Sequence, residues 1–103
     1  MQYNIRLYQV NKQNENILFM RYDFLKQMNI KVDVNKMYNK VYEKAFESKS
    51  NVPIPHIDLL NKLYEIFQFC HPYKGHSVSV SDIIAIDNFY YYVDSFGFKL
   101  ISK

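Results

Sequence analysis

Tryptophan is absent from this chain of 103 residues, which carries only two glycines, three prolines and one cysteine. A lone cysteine, Cys70, excludes an internal disulfide and suits a reducing compartment. Gly75 and Gly97 lie far apart, so there is no glycine-rich loop to cradle a phosphate. No apolar run approaches the roughly 18 residues of a membrane span. The N-terminal MQYNIRLYQV lacks the charged-then-apolar order of a signal peptide. A soluble, cytoplasmic protein with no membrane partner is therefore expected. Charge of neither sign dominates: thirteen Lys+Arg against ten Asp+Glu leave a formal net charge of +3. That balance argues against an acidic mimic of nucleic acid and falls short of the basic field of a dedicated nucleic-acid binder. Only Arg6 and Arg21 are arginines, and lysine is the weaker residue for bidentate phosphate or base recognition.

What the chain has in excess is aromatic surface. Ten tyrosines and eight phenylalanines make up 17% of it, within a hydrophobic fraction of 49% and a charged fraction of 22%. This is the composition of a globular protein, and residues 1–103 amount to one domain. Tyrosine joins a large apolar body to a polar tip, so many of these side chains are expected half-buried at core edges.

Alternation in YNIRLYQV predicts a half-buried strand over 3–10, with Tyr3, Ile5, Leu7 and Gln9 on one face. NKQNEN at 11–16 has no apolar residue and reads as a hairpin loop, making ILFM at 17–20 a return strand or the lead into a helix. Phe24, Leu25 and Met28 predict a short helix over 22–29, stopped at Asn29. Residues 33–46 fit either period; aromatic and β-branched content favours a strand over 37–46. Pro53 and Pro55 punctuate a loop at 47–56. The main helix follows over 56–69, with Ile57, Leu60, Leu63, Tyr64 and Phe67 as its apolar stripe. The last third reads as β: Val78 and Val80 alternating with serines, then IIAI at 83–86, FYYYVD at 89–94 and FKLI at 98–101. The expected class is α+β, a small antiparallel sheet with the main helix and the short one packed on it.

Several groupings invite a chemical reading. Cys70 beside His71 suggests a thiolate nucleophile, but adjacent residues seldom meet as a catalytic pair, and a helix C-terminus raises a thiol pKa. His56, His71, His76 and Asp82 contain metal-ligand types without helical HxxxH or CxxC spacing. Ser77, Ser79, Ser81 and Asp82 lack a G-x-S-x-G elbow, and serines there suit turns or a solvent face. The Tyr90–Tyr91–Tyr92 run beside Lys99 could stack on single-stranded bases, although alternation sends Tyr91 to the face opposite Tyr90 and Tyr92. Neither catalysis, a metal nor a cofactor is expected. Asp82 and Asp94 are expected to accept turn N–H groups, Asp82 in an Asx-type arrangement that starts the IIAI strand, and Gly97 to take positive φ.

HPYKGHSVSVSDIIAI followed by FYYYVDSFGFKLI resembles the C-terminal signature of the YodL-like domain family. The matching positions are Gly75, Ser77, Ser79, Val80, Ser81 and Asp82, then Tyr91, Tyr92, Asp94, Ser95, Gly97 and Phe98. IRLYQVN, LFM, FLK and YNKVYE resemble the family's earlier blocks, and His76 departs from it where arginine is expected. Such domains occur in phages, plasmids and integrative elements of low-GC Gram-positive bacteria, often near antirestriction functions. The resemblance therefore implies a non-enzymatic, counter-defence protein of anti-CRISPR or antirestriction type. Its partner would be a host defence protein such as a Cas nuclease or its guide-RNA complex. The candidate binding residues are Tyr90, Tyr92, Lys99 and His76. The alternative is an accessory module binding nucleic acid weakly beside a mobile-element enzyme.

Overall fold

The computed structural model describes residues 1–69 and 73–101. Its frame is a five-stranded antiparallel sheet in the order β2-β1-β3-β4-β5. The strands are β1 (Gln2–Val10), β2 (Tyr38–Glu47), β3 (Ile83–Ile86), β4 (Phe89–Val93) and β5 (Phe98–Ile101). Among the described residues three α-helices accompany them: α1 (Tyr22–Gln27), the single turn α2 (Val34–Met37) and α3 (His56–Phe69). The α+β expectation therefore holds.

Both faces of the sheet are covered, and this explains the sequence pattern of each strand. Tyr3, Ile5 and Leu7 of β1, Ile84 and Ile86 of β3, and Val93 of β4 pack with Leu59, Leu60 and Phe67 of α3. Ile83, Tyr92 and Ile101 face the other way, against Ile17, Leu25, Val34 and Tyr38 from the small helical segments. As the middle strand, β3 is buried along its whole length, and an uninterrupted IIAI is what a strand apolar on both faces needs. Ala85 stands in register between Arg6 and Tyr90. Its small side chain leaves room for the Arg6 guanidinium to reach the Tyr90 hydroxyl at 3.2 Å.

Several local expectations are corrected. Residues 11–16 are not a hairpin loop: Lys12–Ile17 is a 3-10 helix whose start is tied by Asn14 to both the carbonyl and the side chain of Asn11. Of the two readings of 17–20 the lead into a helix holds: the Met20 N–H donates to the Ile17 carbonyl in a tight turn ahead of α1. The partner of β1 on that side is β2, delivered by α2 with Asp33 capping at Asn35 and Lys36. A register shift between Leu7 and Tyr8 places Lys40 opposite Tyr8 and Tyr42 opposite Leu7. The short helix ends at Gln27, and Asn29 has φ +55°. The buried stripe of α3 is rotated from the one expected: Leu59, Leu60 and Phe67 are inside, whereas Ile57 and Tyr64 are exposed. No strand forms at 77–81; Val78 is buried, and the segment arches over the sheet end without ladder pairing.

Candidate functional site

The arch exists because a strand end, a loop and a carboxylate satisfy one another. Gln9, near the end of β1, occupies a core-facing position and is buried. Its Nε2 donates to the His76 carbonyl at 2.7 Å and to Asp82 Oδ2 at 3.1 Å. The same Oδ2 accepts the Ser79 N–H at 3.1 Å. A Cβ on Gly75, where φ is +150°, would overlap Gln9 Oε1, so glycine is needed there for close approach. Four positions, Gly75, Ser79, Asp82 and Gln9, thus close one latch over the end of the sheet.

Asp82 is fully buried, and its Oδ1 has no hydrogen-bond partner among the described residues. Burial pushes its carboxyl up to about 7, against the opposing pull of the Gln9 bond, the charge of His76 and the Ser79 N–H. His76 Nε2 stands 4.0 Å from Oδ1. His76 Nδ1 lies 2.8 Å from the Ser77 carbonyl, an acceptor, and 3.2 Å from Gln9 Nε2, a donor. The Tyr38, Tyr73 and Tyr92 hydroxyls all feel the same carboxylate, which, after burial, helps hold them neutral.

Ser81 connects this latch to the surface. Its φ is +89°, its N–H donates to the Val93 carbonyl at 3.0 Å, and its own carbonyl accepts the Tyr38 hydroxyl at 2.6 Å. Its Oγ accepts the Phe19 N–H at 3.0 Å. Phe19 itself has φ +66° and is 60% exposed, with its ring edge-on to His76 at 6.1 Å. A left-handed conformation costs a bulky L-residue about 1–2 kcal/mol. Phe19 thus combines a strained backbone with an apolar ring that stands in solvent beside His76.

The other expected site residues scatter. Tyr92 is not a surface anchor: it is fully buried, with its hydroxyl donating to the Met20 carbonyl at 2.5 Å, because alternation aims it at the layer of small helices. Tyr90 shares that face but is half-buried between Tyr8 at 5.9 Å and the Arg6 guanidinium at 5.2 Å, which leaves little free ring for a base. Lys99 is exposed opposite Tyr92 in the ladder. Asp94 Oδ1 accepts the Ser95 N–H at 2.9 Å and, across the fold, the Tyr22 N–H at 3.2 Å, capping α1. Gly97 has φ +78° with open space around it. Asp82 does not make a forward Asx turn; it reaches back to Ser79 and across to Gln9. His56 Nδ1 pairs with the Tyr91 hydroxyl at 2.6 Å on the α3 side, away from His76. Among the described residues, no group of three or more His, Cys, Asp or Glu side chains could hold a metal ion. Cys70 and His71 lie outside the described residues. Gln9 and Phe19 were missed from sequence. The one available signal was a polar side chain at the fourth inward position of the β1 alternation.

The family model of the YodL-like domain matches residues 4–103, and the chain belongs to that family. An uncharacterized protein of Acanthamoeba polyphaga mimivirus is 35% identical over 82 residues, covering 66% of this chain and 72% of that protein. No solved structure matches. Among the described residues, no helix is long and apolar enough to cross a membrane.

Proposed function

We propose that this protein is a non-catalytic binding module that recognises another protein through the surface formed by Phe19 and His76. The observation that carries the reading is Phe19, strained, exposed and pinned by the Ser81 hydroxyl. Much of the motif's polar capacity holds the arch, Asp82 Oδ2 taking two donors and Ser81 Oγ the Phe19 N–H, while Asp82 Oδ1 and Ser79 Oγ stay buried without a partner among the described residues. Exposed aromatics on a rigid support are what interface anchors require. The partner we favour is a host defence protein, a nucleic-acid-cutting enzyme of CRISPR or restriction type foremost, bound and inhibited by occlusion. Family membership and a relative encoded by a virus support a place in mobile or viral genomes. Co-purification and cleavage assays against a panel of such nucleases test this. The expected result is a stable complex with one of them, loss of its cleavage, and loss of both effects in Phe19→Gly. Cleavage unaffected across the panel would remove the inhibitor reading. Binding that survives Phe19→Gly would remove the assigned surface.

A further inference from the structure

The opposite end of the sheet offers a second recognition surface. As an edge strand, β2 has one side unpaired by any other strand of the sheet. On its α3 face, Tyr42, Lys44 and Phe46 stand in register with Leu7, Ile5 and Tyr3. α3 does not cover this margin, and between helix and strand lies an apolar groove of about 300 Å3, walled by Ile5, Tyr42, Phe46, Leu63 and Ile66. A smaller cavity of about 50 Å3 adjoins it, sharing Ile5, Phe46, Leu63 and Ile66 and adding Leu59 and Lys62. Lys44 from the strand and Lys62 from the helix rim this floor, and neither makes an ion pair with a described residue.

We propose that the groove and the free edge of β2 together take an extended peptide segment of a partner protein, added as a sixth strand. Strand addition supplies main-chain hydrogen bonds, and every second side chain of the new strand falls on the α3 face. The occupant is defined by what that face presents: apolar side chains beside Tyr42 and Phe46, and between them a carboxylate beside Lys44 within reach of Lys62. Its pattern is apolar-x-acidic-x-apolar. A second copy of this chain fits less well, because antiparallel self-pairing centred on Glu43 or on Lys44 sets like charges directly opposite each other. This surface shares no residue with the Phe19 and His76 surface, so the two readings stand or fall separately.

The test uses two acetylated, amidated heptapeptides, Thr-Val-Thr-Glu-Thr-Val-Thr and the same sequence with lysine in place of glutamate, titrated into the labelled protein while backbone amide shifts are followed by NMR. The expected result is shifts confined to residues 40–47 and the facing side of α3, with the glutamate peptide binding at least ~10-fold more tightly, of the order of one good ion pair. The double variant Lys44→Glu with Lys62→Glu, both on the surface, is expected to reverse the preference. Phe19→Gly is expected to leave peptide binding unchanged. Equal affinity for both peptides, no shift at millimolar peptide, or shifts centred elsewhere would overturn the proposal. So would concentration-dependent shifts along β2 without peptide, which would assign the edge to self-association.

Discussion

At the scale of single residues, strain and burial separate framework from display. Phe19→Gly removes a side chain from solvent and relieves a left-handed backbone, so its melting temperature should stay level or rise, while partner binding is lost. A fall in melting temperature by thermal denaturation would mean that the ring packs and does not merely project. Gly75→Ala should behave in the opposite way, since its Cβ would displace the Gln9 amide and open the latch. The expected loss is about 1–3 kcal/mol, the usual cost of orphaning buried polar groups, read from urea midpoints. Gly97→Val should also lower stability, here through backbone conformation alone, because nothing crowds that position. Much of this was legible in advance. Gly97, Asp82 and Asp94 stood out as turn residues because part of what they do is local, a positive φ at Gly97 and bonds from Ser79 and Ser95 to the two carboxylates. The reach of Asp82 to Gln9 and of Asp94 to Tyr22 was not legible. Gln9 did not stand out, because its partners are 67 to 73 residues away. Nor did Phe19, since nothing in ILFM distinguishes a displayed aromatic from a buried one.

At the scale of elements, the short pieces depend on distant caps. α1 is six residues long, far below what sustains a helix by itself, and Arg21 at its N-cap makes no side-chain cap. Asp94, from the other end of the chain, bonds the Tyr22 N–H in its place. Asp94→Ala should therefore speed hydrogen exchange across the amides of 22–27 by about 5- to 30-fold, matching a cap worth ~1–2 kcal/mol, with the β3 amides unaffected. Exchange rising equally in both would show that Asp94 serves the hairpin and sheet as a whole. The strands were readable from period and composition: β1, β3, β4 and β5 lie within a residue of their expected limits, and β2 starts one residue late. The 3-10 helix was not, because a polar run with asparagines serves a turn and a capped helical segment equally well. The valine-serine alternation at 77–81 misled for a related reason. Period-2 patterning reports which side chains point inward, and Val78 does, but it does not report whether a neighbouring strand is available to pair.

At the scale of the whole molecule, a carboxyl group at the centre of the latch links stability to pH. The ordinary carboxyl value for Asp82 is 3.8, and in the fold it is pushed up to about 7, chiefly by burial. The native state therefore holds a proton between those limits that the unfolded chain releases. This contribution to stability is fully present below about 4 and is lost as the pH rises through about 7. Its size is on the order of a few kcal/mol, enough to move the melting temperature of a chain this size by roughly 10 °C. Asp82→Asn preserves the shape and the acceptor oxygen for Ser79 and Gln9 while removing the titration. The decisive measurement is the melting temperature of wild type and Asp82→Asn between pH 4 and pH 8. If a buried carboxyl holds the motif together, the wild type loses stability relative to Asp82→Asn as the pH rises from 4, and the loss levels off above about 7. Parallel curves across that range would contradict it, placing Asp82 in water and the motif on an open surface.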